Sequence, residues 1–187
     1  MLTSAFILES TPQTFGSELL CLFAKNFGKI FCTTKKSFRV PSIPAYIEIE
    51  LFQKNEGLYS AQNIQIEDTF PQLRSNEKAR KSLLELHKLL KQALPLHTNL
   101  DEVWAVFASL IPCLHLFLEE TTPLFLMAYT LANSQGIDFS WVQENGHLDK
   151  ESQEAILSFP SKSFEEIFSM HCPEQALRFI LEELNIK

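Results

Sequence analysis

From residue 19 to residue 47 the chain contains no aspartate and no glutamate, although over its whole length acid outnumbers base by 23 Asp+Glu to 16 Lys+Arg, a formal net charge of -7. Those 29 consecutive positions hold Lys25, Lys29, Lys35, Lys36 and Arg39. An average charge conceals such a gap, and asymmetry between halves is itself informative. Residues 1–92 carry 12 Lys+Arg against 9 Asp+Glu, a balance of +3, and residues 93–187 carry 4 against 14, a balance of -10. The two halves are expected to face different partners.

Other absences narrow the function. With only 5 Gly there is no glycine-rich phosphate loop, and neither G-x-S-x-G nor H-E-x-x-H occurs. The five histidines are scattered, and the adjacent pairs Glu119-Glu120 and Glu182-Glu183 point apart on a helix, so no acid/base dyad is expected. Cys21, Cys32, Cys113 and Cys172 are widely spaced, which suggests buried reduced thiols and neither a disulfide framework nor a zinc site. The expectation is a protein that is not an enzyme and uses no cofactor or metal. The most apolar run, residues 103–118, is shorter than the ~20 residues a bilayer requires and is interrupted by Pro112 and His115. The first residues lack a basic region followed by an apolar one, so a cytoplasmic protein is expected.

What is present reads as α+β: an N-terminal five-stranded barrel followed by a C-terminal helical domain, with the boundary at residues 70/71. Short runs rich in Ile, Leu, Phe and Tyr at 4–9, 18–24, 29–35, 45–52 and 58–66 are separated by turn residues. The stretch Tyr46-Ile47-Glu48-Ile49-Glu50-Leu51 alternates apolar with acidic, as a strand with one buried face does. Five short strands in about 65 residues suggest a small closed barrel such as the OB-fold. Beyond Phe70-Pro71 the period becomes helical. Asn76 is placed to cap a helix with Leu83, Leu86 and Leu90 on one face. A second helix should follow Asn99, bent at Pro112. Thr122 as N-cap, Pro123 at the first position and Gly136 beyond the end bracket a third, apolar almost all round. Shorter helices are expected near 150–159, after Ser163 and after Pro173.

Within residues 19–47, Phe23, Phe27, Phe31, Phe38 and Tyr46 are interleaved with the cations. Single-strand binding uses this mixture, with cations against phosphates and aromatic faces under bases. The same residues also suit a barrel core and a solvated lysine face. Alternation places Phe23 and Phe31 inward in many registers. Phe38, beside Lys35, Lys36 and Arg39 in a connection, is the better candidate for an exposed stacking ring. A second basic set, Arg74, Lys78, Arg80, Lys81, Lys88 and Lys91, either extends a phosphate track or forms a solvated helix face.

The order of short motifs resembles that of the RecO family of bacterial recombination mediators. They are Ala5-Phe6-Ile7-Leu8; Glu18-Leu19-Leu20 with Leu22-Phe23 and Gly28-Lys29-Ile30; Ile47-Glu48-Ile49-Glu50-Leu51; Gly57-Leu58-Tyr59; Ile66-Glu67-Asp68-Thr69-Phe70-Pro71-Gln72-Leu73-Arg74; and the helix at 125–136. The resemblance implies an OB-fold and a helical domain that bind single- and double-stranded DNA and anneal complementary strands. It also implies recognition of single-strand-binding protein and, with RecR, help in loading RecA, at the bacterial nucleoid. Carried onto this chain, the family's basic barrel surface falls on Lys25, Lys29, Lys35, Lys36 and Arg39. With Phe38 and with Arg74, Lys78 and Lys81 from the charge pattern, these are the candidate DNA-binding residues. Many family members carry zinc-binding cysteines after the central helix, whereas residues 137–142 have none, and the connection at 36–45 is shorter and less basic than usual. Two other classes remain open: an acidic chaperone or adaptor that does not touch DNA, and, with least support, a hydrolase or nuclease.

Overall fold

The computed structural model describes residues 1–35, 38–41, 45–55, 57–144 and 147–186. Five strands, β1 (Leu2–Pro12), β2 (Glu18–Ala24), β3 (Gly28–Thr33), β4 (Tyr46–Asn55) and β5 (Leu58–Asp68), close a barrel in the order β1-β2-β3-β5-β4. β4 pairs back to β1, and every pairing is antiparallel except β3 with β5. The barrel is OB-fold-like. Period-two alternation fills it: Ala5, Ile7, Leu20, Leu22, Ile30, Cys32, Ile47, Ile49 and Leu51 form the interior, while Glu48 between them is exposed. The fold is therefore α+β, a five-stranded barrel followed by seven α-helices among the described residues.

The chain divides into two compact units: Met1–Pro71 with Leu94–Trp104, and Gln72–Ala93 with Ala105–Lys187. Residues 94–104 form a strap on the barrel unit. The His97 N–H donates to the Lys29 carbonyl at 3.1 Å, and Leu96 bridges Lys29 as a parallel β-partner. A Cβ added to Gly28, whose φ is +67°, would lie 1.9 Å from the Thr98 carbonyl oxygen. Only glycine lets the two backbones approach so closely. At the end of the strap, Trp104 lies on the outer wall of the barrel, with ring centroids 5.1 Å from Phe6 and 5.2 Å from Phe23. Phe6 also packs against Tyr46 and Phe70 at 5.1 and 6.2 Å.

The helices are α1 (Pro71–Ser75), α2 (Glu77–Ala93), α3 (Asp101–Cys113), α4 (Thr121–Ser134), α5 (Lys150–Ser158), α6 (Phe164–Ser169) and α7 (Glu174–Glu183). In the second unit α4 packs against α2 and α7, buried almost all round its middle turns, as its apolar sequence requires. Asn76 Oδ1 accepts from the Ala79 N–H at 3.0 Å to start α2, and Ser163 with Glu166 forms a capping box at α6. At the end of α4 the Gly136 N–H reaches the Asn133 carbonyl and the Ile137 N–H the Ala132 carbonyl, at 2.9 and 3.0 Å, a Schellman closure with Gly136 at φ +79°. Thr122 does not cap α4. The helix begins two residues earlier than expected, Glu120 holds the cap position without a side-chain bond, and the buried Thr122 hydroxyl donates to the Met170 carbonyl at 3.0 Å. The hydroxyl is thus committed to a carbonyl 48 residues away and not to the first turn of its own helix.

His87, inside α2, is 6% exposed, and its Nε2 has no hydrogen-bond partner among the described residues. Burial pushes its pKa down to about 4, with a smaller contribution from Lys91. The imidazole is buried neutral.

Gly28→Ala should lower the unfolding free energy by roughly 2–5 kcal/mol, because left-handed strain adds to a backbone clash. Gly136→Ala, with φ +79° but nothing within 4 Å of the new Cβ, should lose only about 1–2 kcal/mol. Urea denaturation of both variants checks the order. For His87 the folded pKa lies below the unfolded value, so its stabilisation is complete above pH about 6.5 and drains away as pH falls towards the folded pKa of about 4. On the order of 3 kcal/mol of pH-dependent stability should vanish from that window in His87→Leu. Equal slopes for wild type and variant in urea titrations would contradict the assignment.

Candidate nucleic-acid interface

The basic stretch that is continuous in sequence is divided in space. Lys25 sits in the β2–β3 turn and Lys29 at the start of β3, whereas Lys35 and Arg39 follow its end. A six-residue strand is roughly 17 Å long, so the cations lie at opposite ends of β3. Lys25, Lys35 and Arg39 are exposed, and no ion pair engages them among the described residues. Lys29 is half-buried, and desolvation holds its pKa below the ordinary lysine value, partly offset by Cys21. Lys36 lies outside the described residues.

The strap decides which end is open. It runs past Gly28 and Lys29, and its His97 ring packs 6.2 Å from Tyr59. A Cβ on Gly57, in the β4–β5 turn, would lie 3.2 Å from His97 Nε2. In OB-folds the face of strands 2 and 3 and the neighbouring loops, including that between strands 4 and 5, serve as the oligonucleotide surface. Here the Gly28 end of that surface is covered by the chain itself.

The aromatic residues divide accordingly. Phe23 is fully buried but outside the barrel, beneath Trp104, and not in the interior as alternation alone suggests. Phe31 is not inward either: in β3 the buried positions are Gly28, Ile30 and Cys32, which leaves Lys29, Phe31 and Thr33 on the outer face, half-buried. Phe27 packs on Tyr59 at 5.9 Å. Phe38 is partly buried against the barrel core, so it is not the exposed ring its position in a basic connection suggests. With Lys35, Gln62 and Ile64 it lines a shallow groove of about 190 Å³.

Two residues outside the acid-free stretch complete the open end. Phe52, on the outer face of β4, is 43% exposed. Lys54 reaches across β5 to place Nζ 3.2 Å from Thr33 Oγ1. Sequence alternation already puts Phe52 on the wet face with Glu48 and Glu50, which is the signal that reveals it.

The second basic set belongs to the helical unit. Lys81 pairs with Glu120, and Lys88 with Glu85 at 2.6 Å, so both cations are already offset. Lys78 is half-buried and helps to hold the Glu119 carboxyl below its usual range. Arg80 and Lys91 are exposed, and the Arg74 side chain lies outside the described residues. Glu119 also accepts from His171 Nδ1 at 2.6 Å, the main cause of its lowered pKa and of the raised pKa of His171. α7 borders an apolar groove of about 540 Å³ lined by Leu177, Leu181 and Ile186 with Glu174, Arg178 and Glu182.

Burial pushes the Cys32 and Cys172 thiols up to about 12, away from thiolate chemistry. Among the described residues no cluster of His, Cys, Asp or Glu is arranged to hold a metal, and no helix is long and apolar enough to cross a membrane. No protein-family model and no curated protein matches the chain.

Proposed function

We propose that this chain is a RecO-like recombination mediator whose barrel binds DNA through its phosphates. The observation that carries the proposal is an OB-fold-like barrel bearing the exposed cations Lys25, Lys35 and Arg39, none of them neutralised by an ion pair among the described residues. Cations of this kind release counterions from single- and double-stranded DNA alike, which favours sequence-tolerant binding. The motif order set out above extends the proposal to strand annealing and to loading RecA, with RecR, on DNA covered by single-strand-binding protein. The groove along α7 is the place on the acidic unit best suited to a protein partner, since its apolar floor and charged rim match the usual anatomy of such contacts. The proposal includes no catalytic step. It places the protein at the bacterial nucleoid.

Fluorescence anisotropy with labelled oligonucleotides tests it. Wild type should bind unrelated sequences alike, more weakly as salt rises. Lys35→Ala with Arg39→Ala should flatten the log–log salt dependence for single strands by about 1.4, at about 0.7 per phosphate. Lys81→Ala with Lys88→Ala should change it less, because Glu120 and Glu85 already hold those cations. Absence of binding at low salt would favour the acidic adaptor, with the α7 groove as its working surface.

A further inference from the structure

We infer that the outer face of β3, β5 and β4 at the Thr33 end of the barrel is a seat for single-stranded nucleic acid, with Phe52 stacking on a base and Lys54 meeting a phosphate. The inference rests on the DNA-binding reading above and goes beyond it by assigning the seat to residues outside the basic stretch.

The strand registers build the seat. Leu19 pairs with Thr33, Thr33 with Ser60 and Ser60 with Phe52, so one row across the face runs Leu19, Thr33, Ser60, Phe52. Two small hydroxyl residues beside a large ring leave room over the face of that ring. At 43% exposure the phenyl is one of the large apolar side chains that the fold leaves in water, and the strap pairs with the sheet at Lys29, towards the Gly28 end. A base over the ring removes that apolar surface from water and gains stacking.

Charge selects the same occupant. The bond from Lys54 Nζ to Thr33 Oγ1 holds the ammonium over β5, next to Ser60 in the same row. Lys35 lies with Gln62 in the groove two residues further along β5. A cation therefore stands on either side of the row. Two carboxylates of the neighbouring strands are held by hydrogen bonds away from the cations: Glu50 accepts from Asn63 Nδ2 at 2.7 Å, and Glu18 accepts from the Ser10 hydroxyl. An aromatic platform flanked by cations fits a single strand, whose bases are free to turn onto the ring. A paired duplex cannot present a base face there without unstacking.

The test uses the full chain and a labelled oligothymidylate, followed by anisotropy at two salt concentrations. Phe52→Ala should weaken binding about 5- to 150-fold with little change in salt slope, which is the range base stacking spans. Phe52→Trp should restore it. Lys54→Ala should lower the slope by about 0.7. Urea midpoints matched to wild type would show that the variants fold. If wild type binds and the Lys35 and Arg39 variant is impaired while Phe52→Ala and Lys54→Ala bind as wild type does, the seat is wrong and the DNA-binding reading stands. If wild type does not bind at low salt, both fail.

Discussion

The indole of Trp104 against Phe6 and Phe23 is the contact on which the barrel unit depends. It covers two aromatic side chains that the strand period turns outward, and which would otherwise expose a large apolar patch on the barrel wall. Trp104 is 6% exposed, and by area a buried indole contributes roughly 4 kcal/mol. Because Trp104 ends the segment 94–104, its position also sets where that strap runs. The Lys29 carbonyl and the bare Cα of Gly28 then hold the strap at the β2–β3 turn. Packing on one wall thus determines which end of the neighbouring strand meets solvent.

The electrostatics follow from that arrangement. A run of cations along the sequence suggests one continuous basic surface, but the length of β3 separates them and the strap half-buries Lys29. What remains for a polyanion is local: Lys25 at one end of β3, and Lys35 and Arg39 in the connection after its other end, supplemented there by Lys54 from β4. On the helical unit the balance is opposite, since Glu120 and Glu85 neutralise cations of α2. The chain's acidity is compatible with a nucleic-acid surface because binding responds to local potential and not to the formal sum.

Local physics made much of the fold legible in the sequence. Alternation at residues 46–51 gives β4, Asn26-Phe27-Gly28 gives the turn between β2 and β3, and Asn76, Ser163 and Gly136 mark helix ends where the structure has them. The misses share a cause. Alternation turns Phe23 inward, the helix-start pattern makes Thr122 a cap and a basic connection puts Phe38 in water, yet each of these environments is set by a partner distant in sequence: Trp104 over Phe23, Met170 for Thr122, the barrel core for Phe38. In the sequence Phe52 and Lys54 stand among the acidic residues Glu48, Glu50 and Glu56, which hides them from a charge pattern. Pairing with Ser60 and Thr33 moves them into a different company.

Hydroxyl-radical footprinting with and without a saturating oligothymidylate tests most directly whether the strap stays in place and the strand lies at the other end. The account predicts that oxidation of Phe52 falls when the oligonucleotide binds, while Leu96, 49% exposed in the strap, and His97 oxidise unchanged. Protection or sudden exposure of Leu96 and His97, with Phe52 unaffected, would contradict it, because the nucleic acid would then occupy or displace the strap.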